Sequence, residues 1–212
     1  MTAIESVILE VPDLPVARAF YNAAFDLGTR VAVRPSTAPA NGFRGFTLSL
    51  VVAQPANADA LFDAALDAGA TPLKPVKKGL WGYGGVLRAP DGTIWKVATS
   101  SKKNSGPATR QIDDLVLLLG VADMAASKRF YVEHGLTVAK SYGRKYVEFS
   151  TPADGVKLAL YGSRALAKDA GVSADGTTGT RGIVVNSDAG PFTDPDGFAW
   201  EPASSTTRVS LA

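Results

Sequence analysis

The chain has 212 residues, 46% of them hydrophobic and 20% charged, with a formal net charge of +2, no cysteine and a single histidine. That apolar fraction suits a chain with a buried core, and the length allows one large domain or two small ones. Without cysteine there are no disulfides, zinc ribbons, iron–sulfur clusters or cysteine nucleophiles, and with His134 alone no site can use two imidazoles.

The charge is small and evenly spread: residues 1–105 carry eleven basic and eight acidic groups, the remainder eleven and twelve. No nucleic-acid partner is expected from that balance. The longest apolar run, Leu115–Val121, is interrupted by Gly120 and is too short to span a bilayer, so no membrane partner is expected. Met1-Thr2-Ala3-Ile4-Glu5 has neither a basic region nor an apolar core. The expectation is therefore a chain without a secretory leader, in the cytoplasm.

In chain order, Ser6–Val11 is β-branched and apolar and reads as a strand. Asp13 offers an N-cap and Pro15 suits a first turn, with Val16, Ala19, Phe20 and Ala23 at helical spacing and Gly28 as the stop. Strands over Thr29–Arg34 and Gly45–Val52 precede a helix over Asn57–Ala68, which Gly69 ends. Strands Thr71–Val76, Gly84–Arg88 and Thr93–Ala98 follow, the last two joined through Pro90-Asp91-Gly92. The polar stretch Ala98–Arg110 reads as a linker. Beyond it come strand Leu115–Val121, helix Ala122–His134 and strand Thr137–Ser141. A hairpin of Lys145–Ser150 and Val156–Tyr161 is next, then strands Gly182–Ser187, Gly190–Thr193 and Phe198–Pro202. Such βα-strand clusters predict an α+β architecture.

The chain repeats itself. Val11-Pro-Asp-Leu-Pro-Val-Ala-Arg-Ala-Phe-Tyr21 aligns with Val121-Ala-Asp-Met-Ala-Ala-Ser-Lys-Arg-Phe-Tyr131. Gly42-Phe-Arg-Gly-Phe46 aligns with Gly179-Thr-Arg-Gly-Ile183, and Pro90-Asp-Gly-Thr-Ile-Trp-Lys96 with Pro195-Asp-Gly-Phe-Ala-Trp-Glu201. The offsets run 110, 137 and 105, so the second half has 27 extra residues after its Phe-Tyr pair and 32 fewer before its Pro-Asp-Gly turn. The extra residues match the hairpin, and the shortfall matches a helix and strand. The expected organisation is a first repeat over 1–98, a linker over 99–110, a second repeat over 111–204 and a tail over 205–212.

A strand, then Asp-Leu-x-x-(Ala/Ser)-x-x-Phe-Tyr, and later Asp-Pro-Asp-Gly-x-x-Trp-Glu, resembles the vicinal oxygen chelate superfamily of glyoxalases, bleomycin-resistance proteins and extradiol dioxygenases. The resemblance implies tandem βαβββ modules, with curved mixed sheets enclosing a cleft and helices on the outer face. Enzymes of the family hold a divalent metal there through His on a module's first strand and Glu on its last, as a Lewis acid with open positions. Carried over, the first-strand positions fall on Ser6 and Val116, and the last-strand positions on Lys96 and Glu201, with Thr47 near a third-strand position. Only Glu201 has a metal-ligand side chain, so neither a metal nor another cofactor is expected.

The remaining candidates each admit two readings. His134 is a general base or a cation complementing a helix C-terminus. Glu201 is a cleft base or an ordinary strand carboxylate, and Lys96 a cleft cation or a solvated edge charge. Arg44 and Arg181, at matching Gly-flanked sites, are carboxylate clamps or structural. Trp81 and Tyr83 form a Gly-flanked aromatic cluster suited to a pocket, whereas Trp95 and Trp200 fit a pocket or the core. Tyr146 and Glu148 share a strand face with Tyr161 on the paired strand, and all three are candidates for the second cleft. The function expected is binding of a small apolar or aromatic molecule in an inter-module cleft, without metal. The alternative is a metal-dependent lyase or dioxygenase with atypical ligands such as Glu201 and Asp114. A protein–protein module, with a homodimer covering the trimmed half, is a third class.

Overall fold

The computed structural model describes every residue except 1, 39, 81, 153–154, 176–177 and 204–212; Trp81 and the 205–212 tail thus lie outside the described residues. β1 (Ile4–Val11) leads into α1 (Leu14–Ala24), which begins where Asp13 accepts a 3.0 Å hydrogen bond from the Val16 N–H. The helix stops at Phe25 rather than at Gly28, whose φ of +55° opens a short 3-10 turn instead. β2 (Val31–Pro35), β3 (Ala40–Asn41) and β4 (Phe46–Val51) follow, then α2 (Pro55–Asp67), ended by Gly69 at φ +105°. The half closes with β5 (Thr71–Gly79), β6 (Gly82–Arg88) and β7 (Ile94–Thr99).

The second half runs through β8 (Asp114–Val121), α3 (Met124–Glu133), β9 (Val138–Ser141), β10 (Tyr146–Phe149) and β11 (Lys157–Gly162). α4 (Ser163–Ala170), which the sequence pattern does not announce, comes next. β12 (Thr178–Gly179), β13 (Ile183–Ser187), β14 (Phe192–Thr193) and β15 (Ala199–Pro202) complete the order. The hairpin of β10 and β11 together with α4 fills the 27 extra residues, and where α2, β5 and β6 stand between β4 and β7, only β14 stands between β13 and β15.

Pairing divides the chain into four modules, each with its first strand parallel to its last: β1 with β2, β4 with β7, β8 with β11, and β13 with β15. The middle two are full βαβββ units, and the outer two are trimmed. Each sheet draws on both halves through an antiparallel seam. β1 with β13 makes a five-stranded sheet, order β14-β15-β13-β1-β2; β4 with β8 makes an eight-stranded sheet, order β5-β6-β7-β4-β8-β11-β10-β9.

One core serves both sheets. Val7 and Leu9 of the five-stranded sheet, Leu48 and Leu117 of the eight-stranded sheet, and Phe20, Leu61 and Tyr131 of α1, α2 and α3 belong to the same buried cluster. The three helices therefore cover one face of each sheet, as the family pattern implies. A second cluster lies on the opposite face of the eight-stranded sheet, where Leu166, Ala167 and Ala170 of α4 pack on Phe43, Val86 and Ile94. No helix among the described residues is long and apolar enough to cross a membrane.

Candidate functional site: two unequal clefts

Period-two alternation decides which side chains reach each cleft. On the five-stranded sheet, Ile8, Ala32, Val184 and Ala199 form an apolar patch on the face away from the helices. Ser6, Glu10, Arg34, Asn186 and Glu201 share that face, each two residues from a member of the patch. A cavity of about 570 Å³ opens there, lined by Glu10, Arg34, Val184 and Ala199 and by Arg181 and Gly182 of the approach to β13.

Arg34 spans this cleft. Its Nε and Nη2 donate to Glu10 Oε1 at 3.2 and 2.8 Å, while Nη1 donates to Glu201 Oε1 at 3.1 Å and Oε2 at 3.3 Å. β2 and β15 stand three strand intervals apart, about 14 Å on a flat sheet, so the contact needs a curved sheet with the guanidinium laid across it. Burial pulls the Arg34 pKa down, but the hydrogen bonds to Glu10 and Glu201 outweigh it and raise the pKa. Asn186 Nδ2 donates to Ser6 Oγ at 3.3 Å, so these two neighbours in the row of Glu201 satisfy each other.

The eight-stranded sheet carries the corresponding row on β7, β4, β8 and β11: Lys96 opposite Ser49, Ser49 opposite Val116, and Val116 opposite Lys157. Lys96 Nζ lies 2.8 Å from Asp169 Oδ2 of α4, and Lys157 Nζ lies 2.7 Å from Asp114 Oδ2. α4 fills this cleft. Gly120 permits the approach, since a β-carbon there would meet Gly45 O at 2.9 Å and Ser163 Cα at 3.1 Å.

The other candidates fall into three groups. Trp95 and Trp200 are 0% and 1% exposed and belong to the core, beside Tyr21 and Tyr131 respectively. Alternation forces that outcome: a tryptophan next to Lys96 or Glu201 on a strand points to the opposite face. Tyr83 also faces the helix side, where its hydroxyl donates to Asp59 Oδ1 at 2.6 Å; that bond, aided by burial, pushes its pKa up to about 12.

Arg44 and Arg181 act as struts. Arg44 Nη2 donates to Thr93 Oγ1 at 2.6 Å, and burial lowers its pKa. Arg181 Nη2 donates to the Asp196 carbonyl at 2.6 Å and Nη1 to the Arg44 carbonyl at 3.3 Å, with the guanidinium also lining the first cleft. Thr47 is buried beside Leu118 of the neighbouring strand.

Tyr146, Glu148 and Tyr161 do gather on the α4 side of the eight-stranded sheet. Tyr146 OH donates to Glu148 Oε2 at 2.8 Å, and its ring meets Tyr161 edge-on at 6.1 Å. Burial, with the Glu148 bond, raises the Tyr146 pKa. His134 caps α3, its ring stacked on Phe130 at 4.1 Å, and takes no part in either cleft. No sequence motif marks Arg34, Glu10 or Asp169. The only trace of Arg34 and Glu10 in the sequence is a charge at the same strand parity as Ile8 and Ala32.

The sequence matches no family model, and no curated protein matches it. Solved structures do match. A variant of glyoxalase I from Zea mays aligns at a TM-score of 0.60 and 12% identity, covering 94% of this chain and 91% of that one. A dioxygenase-like protein of Bacillus subtilis, described as a putative dioxygenase, aligns at 0.55 and 11%, covering 87% and 69%. The chain shares the fold of these structures, built here from two full and two trimmed modules.

The donor sets do not fit the divalent metal that this fold family implies. In the second cleft two ammonium groups and a valine stand in the ligand row. In the first, the one carboxylate of the row is engaged by a guanidinium. Among the described residues, no three His, Asp or Glu side chains converge on a common point.

Proposed function

We propose that this chain is a metal-independent small-molecule-binding protein on a glyoxalase-like scaffold, and that its ligand lies in the cleft of the five-stranded sheet. One observation carries the reading: the Arg34 guanidinium occupies Glu201 beside a cavity of about 570 Å³, within the size range of small-molecule pockets. Val184 and Ala199 give the floor an apolar surface for an apolar or aromatic body, and Glu10, Arg34 and Arg181 provide the few polar contacts that fix orientation. The opposite cleft is not available in the same way, because α4 packs into it.

Thermal unfolding against a library of small aromatic compounds, with EDTA present, tests the proposal. A ligand at about 100 times its Kd stabilises by about 2.7 kcal/mol, or roughly 5–10 °C for a chain of this size. The shift should shrink in Arg34→Met, with one molecule bound per chain. No shift with any compound, or turnover that EDTA abolishes, overturns the reading.

A further inference from the structure

We infer that the face of the eight-stranded sheet is a second binding site, occupied by the chain's own helix α4, and that it takes amphipathic anions, an apolar body bearing one carboxylate, in exchange for that helix. What α4 places there states the chemistry. Leu166, at 1% exposure, is its one large apolar group in the buried cluster, joined by Ala167 and Ala170. Next to Ala170 in sequence, Asp169 sets its carboxylate on Lys96. An apolar body with a carboxylate a few ångströms away is the pattern a short fatty acid or similar anion would reproduce.

The occupant is lightly held. α4 is eight residues long, and a helix that short has little stability apart from the surface it packs on. Its ion pair is open to water, with Lys96 and Asp169 side chains 36% and 44% exposed, so a solvent-borne carboxylate can compete for Lys96. Lys74 Nζ, donating to the Lys168 and Asp169 carbonyls at 2.8 and 2.6 Å, holds the far end of the helix from the edge strand. The site is separate from the cavity beside Arg34, on the other sheet.

Hydrogen exchange on the wild-type protein tests this directly, with octanoate as the anion and octanol as its uncharged counterpart. Octanoate at millimolar concentration should speed exchange of the amides over 166–172 by about tenfold, a local opening confined to α4, and octanol should not. Lys96→Met should abolish the octanoate effect. Asp169→Asn, which frees Lys96, should raise α4 exchange without any ligand and tighten octanoate binding. Unchanged or slowed α4 exchange with octanoate overturns the inference, as does an equal response in Lys96→Met or to octanol.

Discussion

The guanidinium of Arg181 lies 2.6 Å from where a β-carbon on Gly45 would stand, and that of Arg44 lies at the same distance from the β-carbon position of Gly182. The two Arg-Gly pairs, 137 residues apart in sequence, thus interlock reciprocally across the seam between the halves. Both glycines also sit at positive φ, +85° and +65°. Each arginine fills the space that the other half's glycine leaves open, a packing role that the two copies of the motif share.

Gly45→Ala and Gly182→Ala should each therefore lose stability. Left-handed backbone strain, plus displacement of an arginine that is hydrogen-bonded, costs about 1–3 kcal/mol. Urea unfolding midpoints measure this, and midpoints within error of wild type would mean that the arginines move aside freely.

Leu166 is the one large apolar side chain by which α4 packs into the buried cluster. Leu166→Ala should destabilise by about 2–4 kcal/mol, the usual range for a fully buried leucine. Lys96→Met, which breaks only a half-exposed ion pair, should cost under about 1 kcal/mol. Paired denaturation curves separate the two. Equal losses would place the anchoring of α4 in the ion pair instead.

Tyr83 provides a pH signature. Its folded pKa of about 12 is raised above the usual phenol value of 10.0, with the Asp59 hydrogen bond the main cause. A raised folded pKa means its contribution to stability is complete below pH 10 and fades as pH climbs through about 12. The difference between ultraviolet titrations of wild type and Tyr83→Phe should be one phenol ionising near 12, and Asp59→Asn should bring that phenol back toward 10.0. A wild-type minus Tyr83→Phe difference that titrates at 10.0 would contradict the Asp59 contact.

Metal analysis addresses the donor sets. Protein purified without chelator should hold far less than one equivalent of divalent metal, and EDTA should leave its melting temperature unchanged. The expectation rests on Lys96 and Lys157 in one ligand row and on the Arg34–Glu201 bond in the other. Stoichiometric zinc, nickel or manganese bound at Glu201 would contradict it.

Much of the fold is written locally. The Asp13 cap, the strand alternation and the Pro-Asp-Gly turns act over a few residues, so they are legible in a single chain. The structure also ties each Phe-Tyr helix to the turn of the next module, though not through equivalent residues: Tyr21 OH donates to Asp91 Oδ2 of the first turn at 2.9 Å, whereas Tyr131 OH donates to Asp194, just before the second turn, and the second turn's Asp196 accepts from Ser127 Oγ of α3 at 2.8 Å. Alternation alone also sets Trp95 on the opposite face from Lys96 and Trp200 from Glu201, while the helices packed on the tryptophan face make it the core.

By itself, then, the sequence carries the recurring motifs, the changes in spacing between them and the scarcity of metal-ligating side chains, because each depends on residue identity or near-neighbour spacing. Only the tertiary structure decided which strands meet across the halves, that Arg34 reaches Glu201 from another strand, and that eight residues with one leucine become a helix seated in a cleft. Those outcomes depend on contacts between residues far apart in sequence. For α4 in particular, the sheet beneath it supplies the stability that two helical turns lack on their own.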